Sequence, residues 1–386
     1  MFDEKYMQRA IELAKKGIGA VNPNPLVGAV IVKEGRIIGE GYHAKYGELH
    51  AERAAFANLS EDAQGAEMYV TLEPCCHFGK QPPCTEAIVQ HGISHVYVGS
   101  DDPNTKVCGK GIRYLQEHGI VVDTQMMKEE CDKLNEVFFH YITTNTPYVV
   151  MKYAMTLDGK IATRSGKSKW ITGEAARYRV AESRNEYMGI MAGIGTVLAD
   201  DPMLTCRIDG GRNPIRIICD SSLRIPVDSN IVKTSDTVKT IVVVSDEFME
   251  SIKENATDTE ITKSEQVYTE AWKKADTLRK NGIEIISVRK DKNGLDLKEL
   301  MIKLGEKGID GILMEGGGTL NYSALTAGIV NELNVYIAPK IFGGASALSP
   351  VEGMGVESPD DAKKFILKGT EQLGDDILLV YKKTDM

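Results

Sequence analysis

Positive charge, tryptophan and long apolar runs are what this chain has least of. The 386 residues carry two tryptophans and a formal net charge of -9. A chain with so little basic excess is a poor general nucleic-acid binder, because that affinity rests on neutralising phosphates. No run of 18 apolar residues occurs, so no membrane-spanning helix is expected. The opening Met1-Phe2-Asp3-Glu4-Lys5 lacks the apolar segment of a signal peptide. Cysteine is sparse and odd in number: seven argue against a disulfide framework and for a reducing, cytoplasmic setting. What remains, 42% hydrophobic and 26% charged, is the composition of a globular protein. At roughly 150 residues per domain, two or three domains are expected.

Chemistry concentrates in one stretch. His50-Ala51-Glu52 is followed by Pro74-Cys75 and, nine residues after that thiol, by Pro83-Cys84. One imidazole and two thiols suit zinc, and three protein ligands leave a fourth tetrahedral position for water. Glu52 is the natural proton carrier beside it. The pattern resembles the His-x-Glu and Pro-Cys-x-x-Cys signature of zinc nucleobase deaminases, but with a longer insert between the thiols. Positions i and i+2 of a helix point roughly 200° apart. His50 and Glu52 can therefore serve one metal only where a helix begins. A closed structural zinc site with His77 as fourth ligand, or two buried thiols near a surface histidine, remains the alternative.

Around this stretch, residues 3–17 have helical apolar spacing, Leu26–Val32 and Arg36–Gly41 read as a hairpin, and a helix runs from His50 to about Leu59. Met68–Leu72 is a strand, Thr85–His91 a helix behind Pro82-Pro83, His95–Gly99 a strand, Gly111–Gly119 a helix and Ile120–Asp123 a strand. That order predicts a mixed sheet with helices on both faces. Lys128–Tyr141 reads as one helix, and the polar Thr143–Pro147 stretch as a domain boundary.

Asn22-Pro23-Asn24-Pro25, His50-Ala51-Glu52, Thr71-Leu72-Glu73-Pro74-Cys75 and Pro82-Pro83-Cys84-Thr85 together resemble the bacterial riboflavin-biosynthesis deaminases of the cytidine-deaminase superfamily. The resemblance covers nearly all of the chain, as in the bifunctional deaminase–reductases. It implies zinc on His50, Cys75 and Cys84, with Glu52 as proton shuttle. It also implies substrate contacts from Asn24, His43, His77, Lys80, Asp102 and Asn104, Lys80 suiting a phosphate. Two departures are Cys76, where serine is usual, and Phe78, where histidine or tyrosine is common; Cys76 adjoins the metal and could compete as a ligand. Cys108, Cys131, Cys206 and Cys219 read as packing residues.

Beyond the boundary, strands at Tyr148–Ala154, Tyr187–Ala192, Ile215–Cys219, Thr240–Ser245, Glu284–Val288 and Gly311–Met314 alternate with helices such as Glu174–Asn185 and Lys298–Lys307. The alternation predicts a parallel-rich sheet. Two glycine turns, Gly193-Ile194-Gly195-Thr196 and Gly316-Gly317-Gly318-Thr319, follow buried strands and suit phosphates. This half resembles the riboflavin-pathway reductase, related in fold to dihydrofolate reductase and dependent on NADPH. The resemblance implies cofactor contacts from Ala154, Trp170, Thr196, Asp200, Ser221, Ser222, Gly317, Gly318, Thr319, Leu320, Asn321, Tyr322 and Ser323. It places Ser168, Arg184, Leu204, Arg207 and Glu315 on the substrate, the arginines on its 5′-phosphate. Lys152 and Asp200 are candidate proton donors. The charged 246–281 stretch reads as a solvated helical excursion.

The expectation is thus an α/β chain: a cytidine-deaminase-like three-layer zinc-dependent pyrimidine deaminase domain over 1–145, then a dihydrofolate-reductase-like NADPH-dependent reductase domain over 146–386. Zinc and NADPH are the expected cofactors, and a pyrimidine ribosylamine phosphate the substrate. A cytoplasmic homo-oligomer touching neither nucleic acid nor membrane is anticipated. Two rivals are a zinc nucleoside or tRNA deaminase with an unrelated appended domain, and a non-catalytic zinc-stabilised regulator. An intact Glu52 argues against the second, because structural zinc has no use for a carboxylate that is not a ligand.

Overall fold

A computed structural model describes residues 2–78, 81–104, 107–254, 263–292 and 294–384. The chain forms two compact units, Met1–Asn145 and Thr146–Met386. Among the described residues no helix is long and apolar enough to cross a membrane.

The first unit comprises α1 (Glu4–Lys15), β1 (Gly28–Lys33), β2 (Arg36–Tyr42), α2 (Ala51–Ala57), β3 (Glu67–Leu72), α3 (Cys84–Gln90), β4 (His95–Ser100), α4 (Lys110–Glu117), β5 (Val121–Asp123), α5 (Lys128–Leu134) and α6 (Glu136–Thr144). Its sheet runs β2-β1-β3-β4-β5, with β1 antiparallel to both neighbours and β3, β4 and β5 mutually parallel. Because strand side chains alternate between faces, Val30 and Tyr69 pack with Met7 and Ile11 of α1. Ala29, Ile31 and Val70 pack on the other face with Ala55 of α2, Ile88 of α3 and Leu115 of α4. Asp3 caps α1 through the Lys5 N–H. Glycine brings the layers to backbone contact: a Cβ on Gly28 would lie 2.0 Å from the Ala10 carbonyl oxygen, and one on Gly41 would lie 2.2 Å from the Ala55 nitrogen.

The single helix expected over Lys128–Tyr141 is two helices. Between them Asn135 accepts from the Leu26 N–H at 2.8 Å and donates to the Leu26 carbonyl at 3.0 Å. That tertiary tie takes the backbone out of the helix there (φ -124°).

The second unit comprises β6 (Tyr148–Thr156), α7 (Glu174–Glu186), β7 (Gly189–Gly193), α8 (Ile194–Asp200), β8 (Ile215–Cys219), α9 (Asn230–Lys233), β9 (Thr240–Ser245), α10 (Asp246–Glu254), α11 (Lys263–Lys280), β10 (Glu284–Val288), a small ribbon of β11 (Lys290–Asp291) and β12 (Gly294–Leu295), α12 (Leu297–Glu306), β13 (Gly311–Met314), α13 (Gly318–Ala327), β14 (Glu332–Ala338), β15 (Phe365–Leu373) and β16 (Asp376–Lys383). The sheet order is β10-β9-β8-β7-β13-β6-β14-β16-β15. The seven strands from β10 to β14 are parallel, and β16 and β15 extend the edge antiparallel. Buried on both faces, the central strands β7 and β13 are continuous apolar runs, as is usual in parallel sheets. Ile217 points into one core and Ile218 into the other.

Two features differ from expectation. Three strands, β14, β15 and β16, follow residue 330 where none was anticipated; β15 is mostly exposed, Ile366 and Leu367 included, and a register shift after Leu367 breaks any alternation of apolar and polar residues. The described parts of the 246–281 stretch are also more than a solvated excursion. Met249 and Ile252 of α10, and Ala275 and Leu278 of α11, are buried in the core behind β8 and β9.

Candidate active sites

In the first unit α2 starts at the site. His50 is its N-cap residue with extended backbone (φ -69°, ψ 159°), and Glu52 lies in the first turn. The helical objection to an i, i+2 pair is thereby removed. Cys84 is the first residue of α3, and its N–H donates to the Cys75 sulfur at 3.4 Å. His50 Nδ1 lies 3.5 Å from the Cys75 Sγ and 3.4 Å from the Cys84 Sγ. These three ligand atoms all lie within 4.8 Å of one another.

The electrostatics of this cluster call for a cation. Hydrogen bonding from Cys84 lowers the Cys75 thiol, while the same contact and burial push Cys84 well up. A dication held between the two sulfurs would favour the ionised form of both. His50, Cys75 and Cys84 therefore fit zinc in donor type, convergence and charge. Cys76 stands outside the cluster, its thiol pushed up chiefly by burial. Glu52 is 4% exposed, and burial raises its carboxyl.

A cavity of about 340 Å³ opens beside the cluster, lined by His50, Glu52 and Cys75 together with Asn24, His43, His77, Asp102 and Asn104. Lys80 lies outside the described residues. His43 is buried, which lowers its pKa and keeps the ring neutral. Its Nδ1 donates to the Leu49 carbonyl at 2.9 Å, and its Nε2 accepts from the Asn24 amide at 3.1 Å. Burial also pushes the Asp102 carboxyl up to about 6, although it accepts from the Asn104 N–H at 2.8 Å. The His77 Nδ1 is buried without a hydrogen-bond partner, which leaves it for a ligand. Phe138, Tyr141 and Ile142 of α6 complete the wall. Nothing local in the sequence marks them, since α6 reaches the cavity only through the fold.

Glu73 was not singled out from the sequence either. It is 4% exposed and accepts from the N–H groups of Gly109 (3.0 Å), Gly111 (3.0 Å) and Ile112 (3.3 Å) at the start of α4. The only sequence signal was its place before Pro74-Cys75.

The second unit has a cavity of about 570 Å³ at the carboxyl ends of β7, β8 and β13, where open parallel sheets bind ligands. The two glycine turns meet there: a Cβ on Gly317 would lie 3.8 Å from the Thr196 Oγ1. Gly317 is the N-cap of α13 and offers no side-chain cap, so the helix start presents bare N–H groups to an anion. Space, glycine backbone and uncapped N–H groups fit the diphosphate of a nicotinamide dinucleotide.

Thr196, Asp200, Ser221, Gly317, Gly318, Thr319, Leu320, Ser323 and Ser168 line this cavity; Ala154, Trp170, Ser222, Asn321 and Tyr322 do not. Asn321 is buried and donates to the Pro350 carbonyl at 2.7 Å. Trp170 is 59% exposed beneath the Arg177 guanidinium, 4.8 Å from its ring centroid. Arg184 grips Glu315 with two hydrogen bonds, 2.6 and 3.0 Å, and donates a third to the Thr205 carbonyl. Lys152 Nζ lies 3.4 Å from the same carboxylate. Burial pushes Glu315 up, but Arg184 and then Lys152 outweigh it and hold the group at about 2. Leu204 is buried with a left-handed backbone (φ 49°), and Arg207 is exposed.

Known proteins resemble both units. Residues 1–100 match the cytidine and deoxycytidylate deaminase zinc-binding region, and residues 147–379 match the RibD C-terminal domain. Riboflavin biosynthesis protein RibD of Actinobacillus pleuropneumoniae is 49% identical over 381 residues, covering 99% of this chain and 95% of that protein. A solved structure of Acinetobacter baumannii RibD superposes with a TM-score of 0.84 at 36% identity, covering 99% of each chain. The Thermotoga maritima diaminohydroxyphosphoribosylaminopyrimidine deaminase/5-amino-6-(5-phosphoribosylamino)uracil reductase superposes with a TM-score of 0.82 at 37% identity, covering 99% of this chain and 98% of that one.

Proposed function

The chain belongs to the RibD family, and from that membership we propose that its two cavities perform successive steps of riboflavin biosynthesis. The protein is a bifunctional deaminase and reductase. Residues 1–145 form the zinc-dependent pyrimidine deaminase domain and residues 146–386 the NADPH-dependent reductase domain. The first removes the 2-amino group of 2,5-diamino-6-ribosylamino-4(3H)-pyrimidinone 5′-phosphate by hydrolysis, and the second reduces the ribosyl chain of the product to ribityl. The observation that carries this reading is the convergence of His50, Cys75 and Cys84 beside buried Glu52, in one chain with a glycine-lined dinucleotide cavity.

His50, Cys75 and Cys84 hold zinc, which when bound supplies a Lewis acid that makes water nucleophilic at neutral pH. Glu52 takes the proton that water gives up and delivers it to the departing amine. Burial raises its carboxyl above the ordinary range, which favours proton uptake. Asn24 and His43, fixed by their mutual hydrogen bond, orient the pyrimidine with Asp102, Asn104 and His77. Lys80 takes the phosphate.

In the second domain NADPH supplies the hydride when bound. Gly317, Gly318, Thr319 and Thr196 seat its diphosphate, with Asp200, Ser221, Leu320 and Ser323 along the same wall. Ala154, Trp170, Ser222, Asn321 and Tyr322 bear on the cofactor from outside that lining. Lys152, beside Glu315, donates the proton to the sugar oxygen as the ring opens. Glu315 and Thr205 take three of the five Arg184 N–H donors, and Arg184 with the exposed Arg207 binds the substrate's 5′-phosphate, with Ser168 and Leu204 shaping the pocket. The protein works in the cytoplasm as a homo-oligomer, without nucleic acid or membrane.

Incubating the purified zinc-loaded chain with the diamino intermediate tests this. Ammonia release followed by NADPH oxidation is expected. Ammonia release without NADPH oxidation removes the reductase assignment, and silence in both assays removes the whole reading.

A further inference from the structure

We propose that α6 is the wall on which the deaminase substrate lays its pyrimidine ring, with Tyr141 as the contact, and that Asn135 positions this wall against the loop carrying Asn24. The inference rests on the deaminase reading and adds to it a recognition surface. The zinc ligands, Glu52, Asn24, His43 and His77 all fall within residues 1–100, the part that matches the cytidine and deoxycytidylate deaminase zinc-binding region. α6 begins at Glu136, beyond that part, yet three of its residues line the first cavity. The reacting groups and this wall thus come from different stretches of the chain.

The three are Phe138, Tyr141 and Ile142. Their i, i+3, i+4 spacing puts them on one face of the helix, so α6 turns an apolar and aromatic face to the cavity. A pyrimidinone presents hydrogen-bonding groups around its edge and two flat faces that take no such bond. The polar side chains lining the cavity, among them Asn24, His43, Asp102 and Asn104, suit the edge. A face calls for a flat apolar partner, and small-molecule pockets combine the two kinds of lining. Phe138 is buried, whereas Tyr141 and Ile142 are half-buried and keep surface that a ligand would cover. Of these two, Tyr141 carries the ring.

Asn135 sets where that face stands. It is 2% exposed and is the N-cap residue of α6, its carbonyl accepting from the Phe139 N–H at 2.8 Å. An N-cap asparagine ordinarily turns its side chain onto its own helix; here the amide makes no cap bond and reaches Leu26 instead. It accepts from the Leu26 N–H at 2.8 Å and donates to the Leu26 carbonyl at 3.0 Å. Leu26 lies two residues after Asn24, and the next carbonyl, of Val27, accepts from the His43 N–H at 3.0 Å. Asn24 and His43 are joined in turn by their 3.1 Å hydrogen bond. One amide therefore spaces the edge-binding pair from the ring-binding wall. A primary amide supplies the donor and the acceptor that the two Leu26 groups require, whereas a carboxylate supplies no donor.

The test follows ammonia release from the diamino intermediate by the full zinc-loaded chain. Tyr141→Ala should raise KM about 10- to 100-fold, the range for losing a base–aromatic contact, with kcat changing less than about threefold. Tyr141→Leu, apolar but not flat, should fall between. Asn135→Asp keeps the shape but sets a carboxylate against the Leu26 carbonyl. Its KM should rise by a similar factor, while zinc stays stoichiometric and NADPH oxidation on deaminated substrate stays parental. A parental KM in Tyr141→Ala overturns the wall, and so does a loss confined to kcat. If Asn135→Asp loses zinc in step with activity, the residue serves the fold alone and the positioning role is overturned; Tyr141→Ala still decides the wall. No ammonia from the unaltered chain removes the deaminase reading itself, and the inference with it.

Discussion

The carboxylate of Glu73 accepts from the backbone N–H of Gly111 at 3.0 Å, tying the residue two places before Cys75 to the start of α4. Gly111 has no side chain to keep the loop away: a Cβ there would lie 2.1 Å from the Pro74 carbonyl oxygen. Glu73→Ala should cost about 1–3 kcal/mol, since it leaves buried N–H groups unpaired and a helix start without its anion. It should also speed zinc loss to a chelator, because Cys75 loses its anchor. Denaturant unfolding and chelator competition check both effects, and parental values in both would end the positioning role.

Cys84→Ala should abolish stoichiometric zinc, whereas Cys76→Ala should retain it. Cys84 lies in the cluster of ligand atoms and Cys76 does not. Elemental analysis of the two purified variants decides the matter. Full occupancy in Cys84→Ala, or loss in Cys76→Ala, would reassign a ligand.

Glu52→Gln should keep zinc but lower deamination by on the order of 10²–10⁴, the usual worth of a positioned acid–base group. Given substrate already deaminated, the variant should oxidise NADPH at the parental rate, since the reductase residues belong to a separate compact unit. Loss of both activities in a folded variant would contradict independent domains.

Acid should weaken the second unit through Glu315. Its pKa falls from 4.5 in the unfolded chain to about 2 in the fold, so the stabilisation is complete above about 4.5 and is lost as pH falls towards 2. The shift corresponds to about 3 kcal/mol at most. Both tryptophans, Trp170 and Trp272, lie in this unit, so their fluorescence reports its unfolding. The stability gap between the parent and Glu315→Gln should be widest above pH 5 and narrow below it. A gap independent of pH would show that the carboxylate is not held by charge.

What the sequence made legible depended on whether a feature is local. Ile215–Cys219, Thr240–Ser245 and Gly311–Met314 read as strands because burial on both faces makes them largely apolar runs, broken in the first by the buried Arg216. His50, Glu52, Cys75 and Cys84 could be picked out because metal chemistry restricts residue type and spacing. The interruption at Asn135 could not, since its cause is Leu26, 109 residues away. Glu73 was silent for the same reason, its partners lying 36 to 39 residues downstream. In the edge strand β15 Ile366 and Leu367 are exposed side by side and a register shift follows, so the strand shows no alternation to read.

The glycine contact beneath α2 governs how heat reaches the deaminase site. At Gly39 and Gly41 the helix rests main chain upon main chain, with added Cβ positions 2.6 Å from the Ala55 oxygen and 2.2 Å from its nitrogen. Packed side chains absorb small displacements by changing rotamer, but two backbones in contact have no such cushion. His50 and Glu52, both at the start of α2, therefore travel together when β2 breathes, and the spacing of imidazole and carboxylate survives. Cys75 and Cys84 ride on neighbouring segments. Arg53 of α2 also donates to the Pro82 and Pro83 carbonyls at 3.1 and 2.9 Å, so the helix start is tied to the segment that carries Cys84, and imidazole, carboxylate and that thiol shift as one body.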